Sequence, residues 1–293
     1  MTAFLEYRRS LKLPEVEEIF DLYFYRPLAF AFVKAIYRTN ITPNQLTVVS
    51  MLIGMMGGVC FGLGHAAAVT VGALLYGLSI VLDCSDGQLA RLKKNGTRLG
   101  RILDGLIDYV VSLAVYLGIG IGLAPESGDH RIWWLLLLAA GLSNLFHSAV
   151  LDYYRNRFTD CVQGTEDTED DDFQSFQREY EELAADKGKR PRKAAIWLYL
   201  RYLTLQKKLT VNWDDSKLPK VAGEDFYHRN KVALRLWTFL GSTTQGTLLI
   251  ITSLFDRIDL YFWGMIVVGN LWAAVMFVVQ TRIDHRLEQE VVS

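Results

Sequence analysis

Four aspartates stand at regular spacing in two segments that are otherwise apolar. They belong to the runs Asp83-Cys-Ser-Asp86-Gly87-Gln-Leu-Ala90-Arg91 and Gly100-Arg-Ile-Leu-Asp104-Gly-Leu-Ile-Asp108. Side chains three, four, seven or eight positions apart share one face of a helix, so each run predicts an acidic face. Two such faces turned toward each other would gather four negative charges in one pocket. That pocket requires cations, and hard divalent ions with oxygen ligands are suited to it.

The spacing also assigns roles within the motif. Two divalent ions about 4 Å apart, bridged by shared aspartates, could clamp a diphosphate. The minimal side chains of Gly87, Ala90 and Gly100 would let a substrate lie against the helix backbone. Arg91 could pair with a phosphate or with one of the acids. Asp108, one turn deeper than Asp104, is the natural general base for an attacking hydroxyl.

A structural alternative is that the acids form buried ion pairs with Arg91, Lys93, Arg98 or Arg101. Those cations lie at helix ends, where long side chains can reach water. Acids at bilayer depth are costly and mark functional sites by default, which favours the chemical interpretation.

The elements that must position these acids are membrane-spanning helices. The chain has 293 residues, of which 51% are hydrophobic, and a formal net charge of -1, which gives no indication of a nucleic-acid partner. Segments of about 20 apolar residues are long enough to cross a bilayer. Six such segments predict an all-α integral membrane protein with six transmembrane helices, near 43–64, 67–85, 103–124, 132–151, 232–254 and 259–280.

Apolar and charged residues alternate at helical spacing over 15–38, which predicts an N-terminal amphipathic helix in the membrane interface. The alternative is a soluble helix packed on a cytosolic loop. Lys and Arg are concentrated in the N-terminal segment, the second and fourth connections and the C-terminal tail, while the other connections nearly lack them. The positive-inside rule therefore places both termini and the aspartates on the cytoplasmic side.

Four parts follow along the chain. They are a cytoplasmic N-terminal segment with the interfacial helix (1–41), transmembrane helices one to four with the motif (42–154), a cytosolic insertion (155–230), and the last two helices with the tail (231–293). The insertion carries an acidic run at 166–172, interpreted as solvated, and a basic strip at 187–193. Thr42 or Asn40 could cap a first span that begins with Pro43.

Small residues recur four positions apart at Gly58 and Gly62 and again at Gly118 and Gly122. Such pairs let helices approach closely in lipid. His147 and Asn144, within the fourth predicted span, could line the cavity for the attacking hydroxyl, but hydrogen bonds to a neighbouring helix are the interpretation that we favour.

The motif resembles that of the membrane CDP-alcohol phosphotransferases. All eight fixed positions are present: Asp83, Asp86, Gly87, Ala90, Arg91, Gly100, Asp104 and Asp108. The segment Ile41-Thr-Pro-Asn-Gln-Leu-Thr47 resembles the start of the family's first transmembrane helix. The resemblance implies a homodimeric six-helix enzyme of phospholipid synthesis in the membrane. It would transfer a phosphatidyl or phosphoalcohol group from a CDP-linked donor to an acceptor hydroxyl and release CMP.

The resemblance also implies site roles. Two divalent ions, Mg²⁺ or Mn²⁺, would be held at Asp83, Asp86, Asp104 and Asp108, with Asp108 also the base. The CDP donor, CDP-diacylglycerol or a CDP-linked alcohol, would contact the region of Asn44, Gly87, Ala90, Arg91 and Gly100.

The long insertion leaves the acceptor open. Four arginines at predicted cytoplasmic helix ends could form a basic pocket for inositol phosphate or glycerol phosphate: Arg155, Arg157, Arg235 and Arg282. Ordinary anchoring at the interface explains each of them equally well.

Two other functions compete with this one. Intramembrane prenyltransferases also bind diphosphate through aspartates and Mg²⁺, but with denser, repeated Asp-rich motifs. A divalent-cation transporter would need polar residues through the full bilayer depth, whereas the chain is apolar beyond Asp108 and before Asp83.

Overall fold

The computed structural model describes residues 3–11, 13–96, 98–124, 129–163 and 223–292. Within 176–204 it describes 176–178, 180–182, 193, 196–197, 200–201 and 204. Throughout these ranges the regular secondary structure is helical. The side chains of residues 98, 99 and 101–106 lie outside the description, although their backbone is helical. The acidic run at 166–172 and most of the basic strip at 187–193 also lie outside the described residues.

Ten α-helices organise the long described stretches. They are α1 (Ala3–Ser10), α2 (Arg26–Ile36), α3 (Pro43–Gly62), α4 (Ala66–Lys93), α5 (Arg98–Gly122), α6 (His130–Gln163), α7 (Gly223–Trp237), α8 (Ser242–Leu254), α9 (Ile258–Trp263) and α10 (Asn270–Val292). A π-helical segment, Asp21–Tyr25, precedes α2, and a second one, Gly264–Gly269, joins α9 to α10.

Four helical stretches within the described residues are long and apolar enough to cross a membrane: Pro43–Gly62, Ala66–Lys93, His130–Val162 and Ile258–Leu287. They correspond to the first, second, fourth and sixth predicted spans. The third predicted span falls on α5, whose described apolar part, Ile107–Gly122, is shorter. The predicted span at 232–254 is not one continuous helix. A 3-10 turn, Thr238–Leu240, and the extended Gly241 separate α7 from α8.

The first long helix begins where the local sequence predicts. Thr42 caps α3 and forms a capping box with Gln45, in which each side chain accepts from the other residue's backbone N–H. Pro43 occupies the first turn, where the N–H that it lacks would have no intrahelical partner. The prediction of a cap at Thr42 is confirmed.

The backbones of α3 and α5 approach each other through glycines. A Cβ added at Gly118 would lie 2.0 Å from the Gly58 carbonyl oxygen, and one at Gly122 would lie 2.0 Å from the Phe61 carbonyl oxygen. Because no side chain fits in that space, the small residues allow the helices to touch. The predicted close approach of helices at these glycines is confirmed, and the two pairs face each other.

The chain forms two compact units. The first comprises Met1–Ser148 and Trp237–Ala274, and its apolar core includes Phe61, Ala73, Val115 and Tyr261. The second comprises Ala149–Leu236 and Val275–Ser293.

The N-terminal region predicted as a helix over 15–38 is helical only in part. Residues 14–17 form a turn, and the helix begins at Ile19, passes through the π segment Asp21–Tyr25 and continues as α2 to Ile36. The charged residues Asp21 and Arg26 are buried, whereas Tyr23 and Phe24 are exposed. Tyr25, Ala29 and Val33 are buried as well, so the protein-facing side of the segment is mixed polar and apolar.

Candidate active site

Asp83 and Asp108 line the same cavity, of about 80 Å³, although they come from different helices. Asp83 projects from α4 and is half-buried, while Asp108 on α5 is exposed. Hydroxyl groups complete the polar part of the wall, from Ser50, Tyr76, Ser79, Ser112, Ser242 and Thr243. Each run of the motif therefore contributes one acid to the wall of the same small cavity, which is lined with oxygen atoms.

Asp86 is buried and turned toward α3. Its carboxylate accepts a hydrogen bond from the Oγ1 hydroxyl of Thr47, which also lies 3.1 Å from the Pro43 carbonyl oxygen. A carboxylate held by a neighbouring hydroxyl has a defined orientation, as is usual for acids that bind metal ions. Thr47 was not singled out for this role by the sequence, because nothing local links it to a residue 39 positions away.

The fourth acid, Asp104, lies on the helical backbone of α5, but its side chain is outside the described set. Among the described side chains, no group of three or more His, Cys, Asp and Glu residues is arranged to hold a metal ion. The oxygens of Asp83, Asp108 and the nearby hydroxyls are nevertheless the donor type that Mg²⁺ and Mn²⁺ select. The donor set fits a hard divalent ion.

The predicted donor-binding residues lie on three helices. Asn44 is in the first turn of α3, Gly87 and Ala90 are on α4, and Gly100 is near the start of α5. A Cβ at Gly87 would meet the Arg91 guanidinium at 3.4–3.5 Å. The face of α4 beside Gly87 is therefore covered by the side chain of Arg91, one turn further on.

The position of Arg91 depends on the N-terminal segment. Its Nε donates a 2.5 Å hydrogen bond to the Ser10 carbonyl at the end of α1. Next to it on α4, Gln88 donates to the Arg26 carbonyl at 3.1 Å. The motif helix is thus tied to both α1 and α2, through contacts that helical periodicity does not encode.

A buried ion pair stabilises that N-terminal segment. Arg26 and Glu17 are 2.7 Å apart and both are nearly inaccessible to solvent. Burial of the guanidinium is the largest single effect and lowers the pKa of Arg26, but Glu17, Cys84 and Asp21 together raise that pKa by more, so the net shift is upward. Removing one partner of such a pair leaves an uncompensated charge, so both residues are needed for the local structure.

Glu18 caps α8 from 226 positions away. Its carboxylate accepts hydrogen bonds from the backbone N–H of Thr244 at 2.8 Å and from the Thr244 hydroxyl at 2.9 Å. A Cβ at Gly241 would lie 2.0 Å from the Glu18 carboxyl carbon, so this approach requires glycine. Because Ser242 and Thr243 line the aspartate cavity, Glu18 positions one of its walls.

The arginines predicted to receive an acceptor belong to the second compact unit. Arg157 is buried and donates two 2.9 Å hydrogen bonds to Asp284, which use two of the five N–H donors of its guanidinium. Arg155 lies 3.5 Å from Asp152, Arg235 is half-buried, and Arg282 is exposed.

Comparison with known proteins identifies the motif-bearing region. Residues 40–156 match the family model described as CDP-alcohol phosphatidyltransferase. The phosphatidylinositol phosphate synthase of Corynebacterium glutamicum is 32% identical over 132 residues, which cover 42% of this chain and 54% of that protein. The bifunctional IPC transferase and DIPP synthase of Thermococcus kodakarensis is 31% identical over 119 residues, which cover 41% of this chain and 26% of that protein.

A eukaryotic protein is similar over part of the same region. The CDP-diacylglycerol–inositol 3-phosphatidyltransferase of Candida albicans is 32% identical over 104 residues, which cover 35% of this chain and 41% of that protein. The chain thus spans between about a quarter and about half of the length of these curated relatives.

Proposed function

We propose that this chain transfers a phosphatidyl or phosphoalcohol group from a CDP-linked donor to an acceptor hydroxyl, because residues 40–156 match the family model described as CDP-alcohol phosphatidyltransferase. The acceptor oxygen forms a bond to the donor phosphorus that carries the alcohol. The bond from that phosphorus to the bridging oxygen breaks, and CMP leaves. The observation that supports the proposal is the presence of Asp83 and Asp108, from the two halves of the motif, on the wall of one cavity.

Asp108 is the proposed general base. Its exposure to the cavity would let its carboxylate accept the proton of the attacking hydroxyl. Asn44, Gly87, Ala90, Arg91 and Gly100 are proposed to contact the donor. Arg91 would pair with a donor phosphate while its Nε remains on the Ser10 carbonyl, because guanidinium groups have several donors in one plane.

Two divalent ions, Mg²⁺ or Mn²⁺, would be held by Asp83, Asp86, Asp104 and Asp108. When bound, such ions neutralise the charge that develops on a leaving phosphate. The hydrogen bond from Thr47 to Asp86 would keep that carboxylate in place for the metal.

Inositol phosphate is the acceptor that we favour. The Corynebacterium relative is named a phosphatidylinositol phosphate synthase, and the Candida relative uses inositol according to its name. Arg155, Arg235 and Arg282 would bind the acceptor phosphate, and Arg157 would join them through the N–H donors that Asp284 does not use. Glycerol phosphate is the alternative acceptor.

For the membrane arrangement, we propose six crossings, with α5 as the third and the two segments α7 and α8 together as the fifth. The exposed Tyr23 and Phe24 would place the π segment, and with it α2, in the interface, where aromatic groups are favoured. The distribution of Lys and Arg favours a cytoplasmic active site and cytoplasmic termini. The proposed assembly is a homodimer. The proposed parts of each chain are 1–41, 42–154, 155–230 and 231–293.

The decisive experiment measures CMP release by the purified chain from CDP-diacylglycerol with inositol phosphate or glycerol phosphate, with and without Mg²⁺. Asp108→Asn should reduce turnover by about 10²–10⁴-fold, the contribution typical of a general base. Asp256→Asn, the same chemical change at an exposed loop position, should be active.

Full activity of Asp108→Asn would remove Asp108 as the base. Divalent-ion flux without CMP release would favour a transporter, and diphosphate release from a prenyl donor would favour a prenyltransferase.

A further inference from the structure

Residues 3–40 are nearly balanced in charge as a sequence, but their exposed surface is cationic. The cations are Arg8, Arg9, Lys12, Arg26, Lys34 and Arg38, and the acids are Glu6, Glu15, Glu17, Glu18 and Asp21. The structure buries Glu17, Glu18 and Asp21, and the other two acids are half-buried. Within the described part of 3–40, the exposed charged side chains are all cations: Arg8, Arg9, Lys34 and Arg38. Folding therefore removes negative charge from this surface and leaves positive charge on it.

Each buried acid is compensated inside the protein. Glu17 is paired with Arg26, a cation that is buried with it. The carboxylate of Asp21 accepts a hydrogen bond from the thiol of Cys84 on α4, with 3.7 Å between Oδ1 and Sγ. The carboxylate of Glu18 caps α8. Because these three acids are bound within the protein, they do not neutralise the cations at the surface.

Arg8 and Arg9 lie near the last turn of α4. They directly precede Ser10 at the end of α1, and the Ser10 carbonyl accepts a 2.5 Å hydrogen bond from Arg91. Arg91 belongs to the last turn of α4, which ends at Lys93. The C-terminal ends of α1 and α4 are therefore in contact.

Arg38 reaches the same end of α4 from α2. The residue after it, Thr39, accepts a 3.0 Å hydrogen bond at its main-chain carbonyl from the Nζ of Lys93. Lys34, one turn before Arg38, forms a 2.5 Å ion pair with Glu6 of α1. Two helices thus bring four exposed cations close to the end of the motif helix.

The last turn of α4 is expected at the level of the lipid headgroups. The helix is 28 residues long and apolar enough to cross a membrane. At about 1.5 Å per residue its length is about 42 Å, whereas the hydrocarbon core of a bilayer is about 30 Å thick. The helix is therefore long enough for its last turn, with Arg91 and Lys93, to extend beyond the hydrocarbon.

Exposed apolar side chains accompany the cations. On α2, Leu28, Ala31 and Ala35 are exposed and recur three and four positions apart, so they share one face of the helix. Lys34 is three positions from Ala31 and borders that face. An apolar face bordered by cations is typical of helices that lie on an anionic membrane surface.

We propose that this cationic surface of α1 and α2 binds phospholipids with anionic headgroups and that the contact holds α1 against the motif helix. The headgroups would meet the cations, each of which contributes about a factor of five in affinity near an anionic membrane surface. The acyl chains would cover Leu28 and the rest of the apolar face of α2. A soluble polyanion would leave that face in water, and a zwitterionic headgroup brings no net charge to the cations.

Hydrogen exchange of the full chain in lipid vesicles tests this proposal. Vesicles of phosphatidylcholine would be compared with vesicles in which phosphatidylglycerol replaces part of that lipid. The amides of α1 should exchange about fivefold or more slowly in the anionic vesicles, because opening of α1 would then break the contacts of Arg8 and Arg9 with lipid. The difference should disappear at about 1 M salt, where the Debye length is about 3 Å. Equal exchange in the two kinds of vesicle would overturn the proposal.

Charge-removing variants locate the effect. Arg8→Gln combined with Arg9→Gln should remove most of the difference between the vesicles, and Arg38→Gln, beyond the end of α2, should reduce it. Arg131→Gln is the matched control, because it makes the same change at an exposed residue near the start of α6. It should leave the difference unchanged. An equal loss of the difference in Arg131→Gln and in the double variant would overturn the assignment to this surface.

Inorganic phosphate added to the phosphatidylcholine vesicles separates a lipid from a free anion. It should leave the exchange of α1 unchanged. If phosphate alone slowed the exchange as much as the anionic lipid does, the assignment of a lipid partner would be overturned. None of these measurements involves CMP release, so failure here is distinguishable from failure of the proposed transferase activity.

Discussion

The Nε of Arg91 is hydrogen-bonded at 2.5 Å to the main-chain carbonyl of Ser10, which lies 81 positions earlier in the chain. This contact joins the motif helix to α1, a helix that contains none of the motif residues. A side chain that is proposed to meet a donor phosphate is therefore positioned by the N-terminal segment.

Removal of residues 1–10 should weaken donor binding. Loss of a hydrogen bond to a charged group costs about 1.5–3 kcal/mol, so the KM for the CDP donor should rise by about 10–100-fold. Steady-state kinetics of CMP release would measure this KM. A chain shortened after Leu287 is the control and should keep its KM. In the chain that lacks residues 1–10, Arg91→Ala should raise the KM by a smaller factor than it does in the full chain. An equal factor in both chains would show that Ser10 does not position Arg91.

Thr47→Val should impair use of the metal ion. Valine keeps the shape of threonine but cannot donate to Asp86, and residues that orient metal ligands typically contribute 10–100-fold to affinity. The Mg²⁺ concentration for half-maximal CMP release should rise by about that factor. Thr47→Ser keeps the hydroxyl and should behave like the natural chain. If serine and valine had the same effect, the hydroxyl would not be the cause.

Gly118→Ala should separate α3 from α5. Its new methyl group would meet the Gly58 carbonyl oxygen at 2.0 Å, and backbone cannot move aside as a flexible side chain can. We expect a loss of about 1–3 kcal/mol in the free energy of unfolding, typical of overpacking, measured by denaturant titration in detergent.

Gly62→Ala is the matched control, because its Cβ would find nothing closer than 3.7 Å. Equal stability of the two variants would contradict the proposed role of the α3–α5 contact.

Glu18→Leu should destabilise α8 at its N-terminus. The substitution removes an acceptor for two donors of Thr244, and loss of a helix cap typically costs 0.5–2 kcal/mol. Hydrogen exchange of the first turn of α8 would measure the local effect. Glu18→Gln keeps an oxygen acceptor and should destabilise the first turn of α8 by less than Glu18→Leu does. If the exchange rates of the leucine variant matched those of the natural chain, the capping role would be disproved.

Local signals in the sequence predicted part of this structure correctly. Thr42 and Pro43 define the start of α3 because caps and prolines act within one turn. The glycine pairs predicted a close contact between helices, because small residues four positions apart lie on one face of a helix. A hydrogen bond from His147 to a neighbouring helix was also predicted, and the structure shows one to Asn270, a partner that the sequence did not indicate.

The contacts of the N-terminal segment could not be predicted in this way. Glu17 and Glu18 have the composition of a solvated acidic turn, yet both are buried. Their partners are an arginine nine positions away and a helix start 226 positions away, and hydrophobic periodicity carries no information about either pairing. The break at Gly241 was missed, although Gly241 and the polar residues that follow it, Ser242-Thr-Thr-Gln245, are a local signal for the start of a new helix.

The cap on α8 also has a consequence for biosynthesis. Glu18 emerges from the ribosome 226 residues before Thr244, which at about 5–20 residues per second corresponds to roughly 10–45 s. This wall of the aspartate cavity is therefore completed only after most of the helices have been made. A nascent chain that stops short of α8 lacks that wall, so catalytic competence should arise late in synthesis.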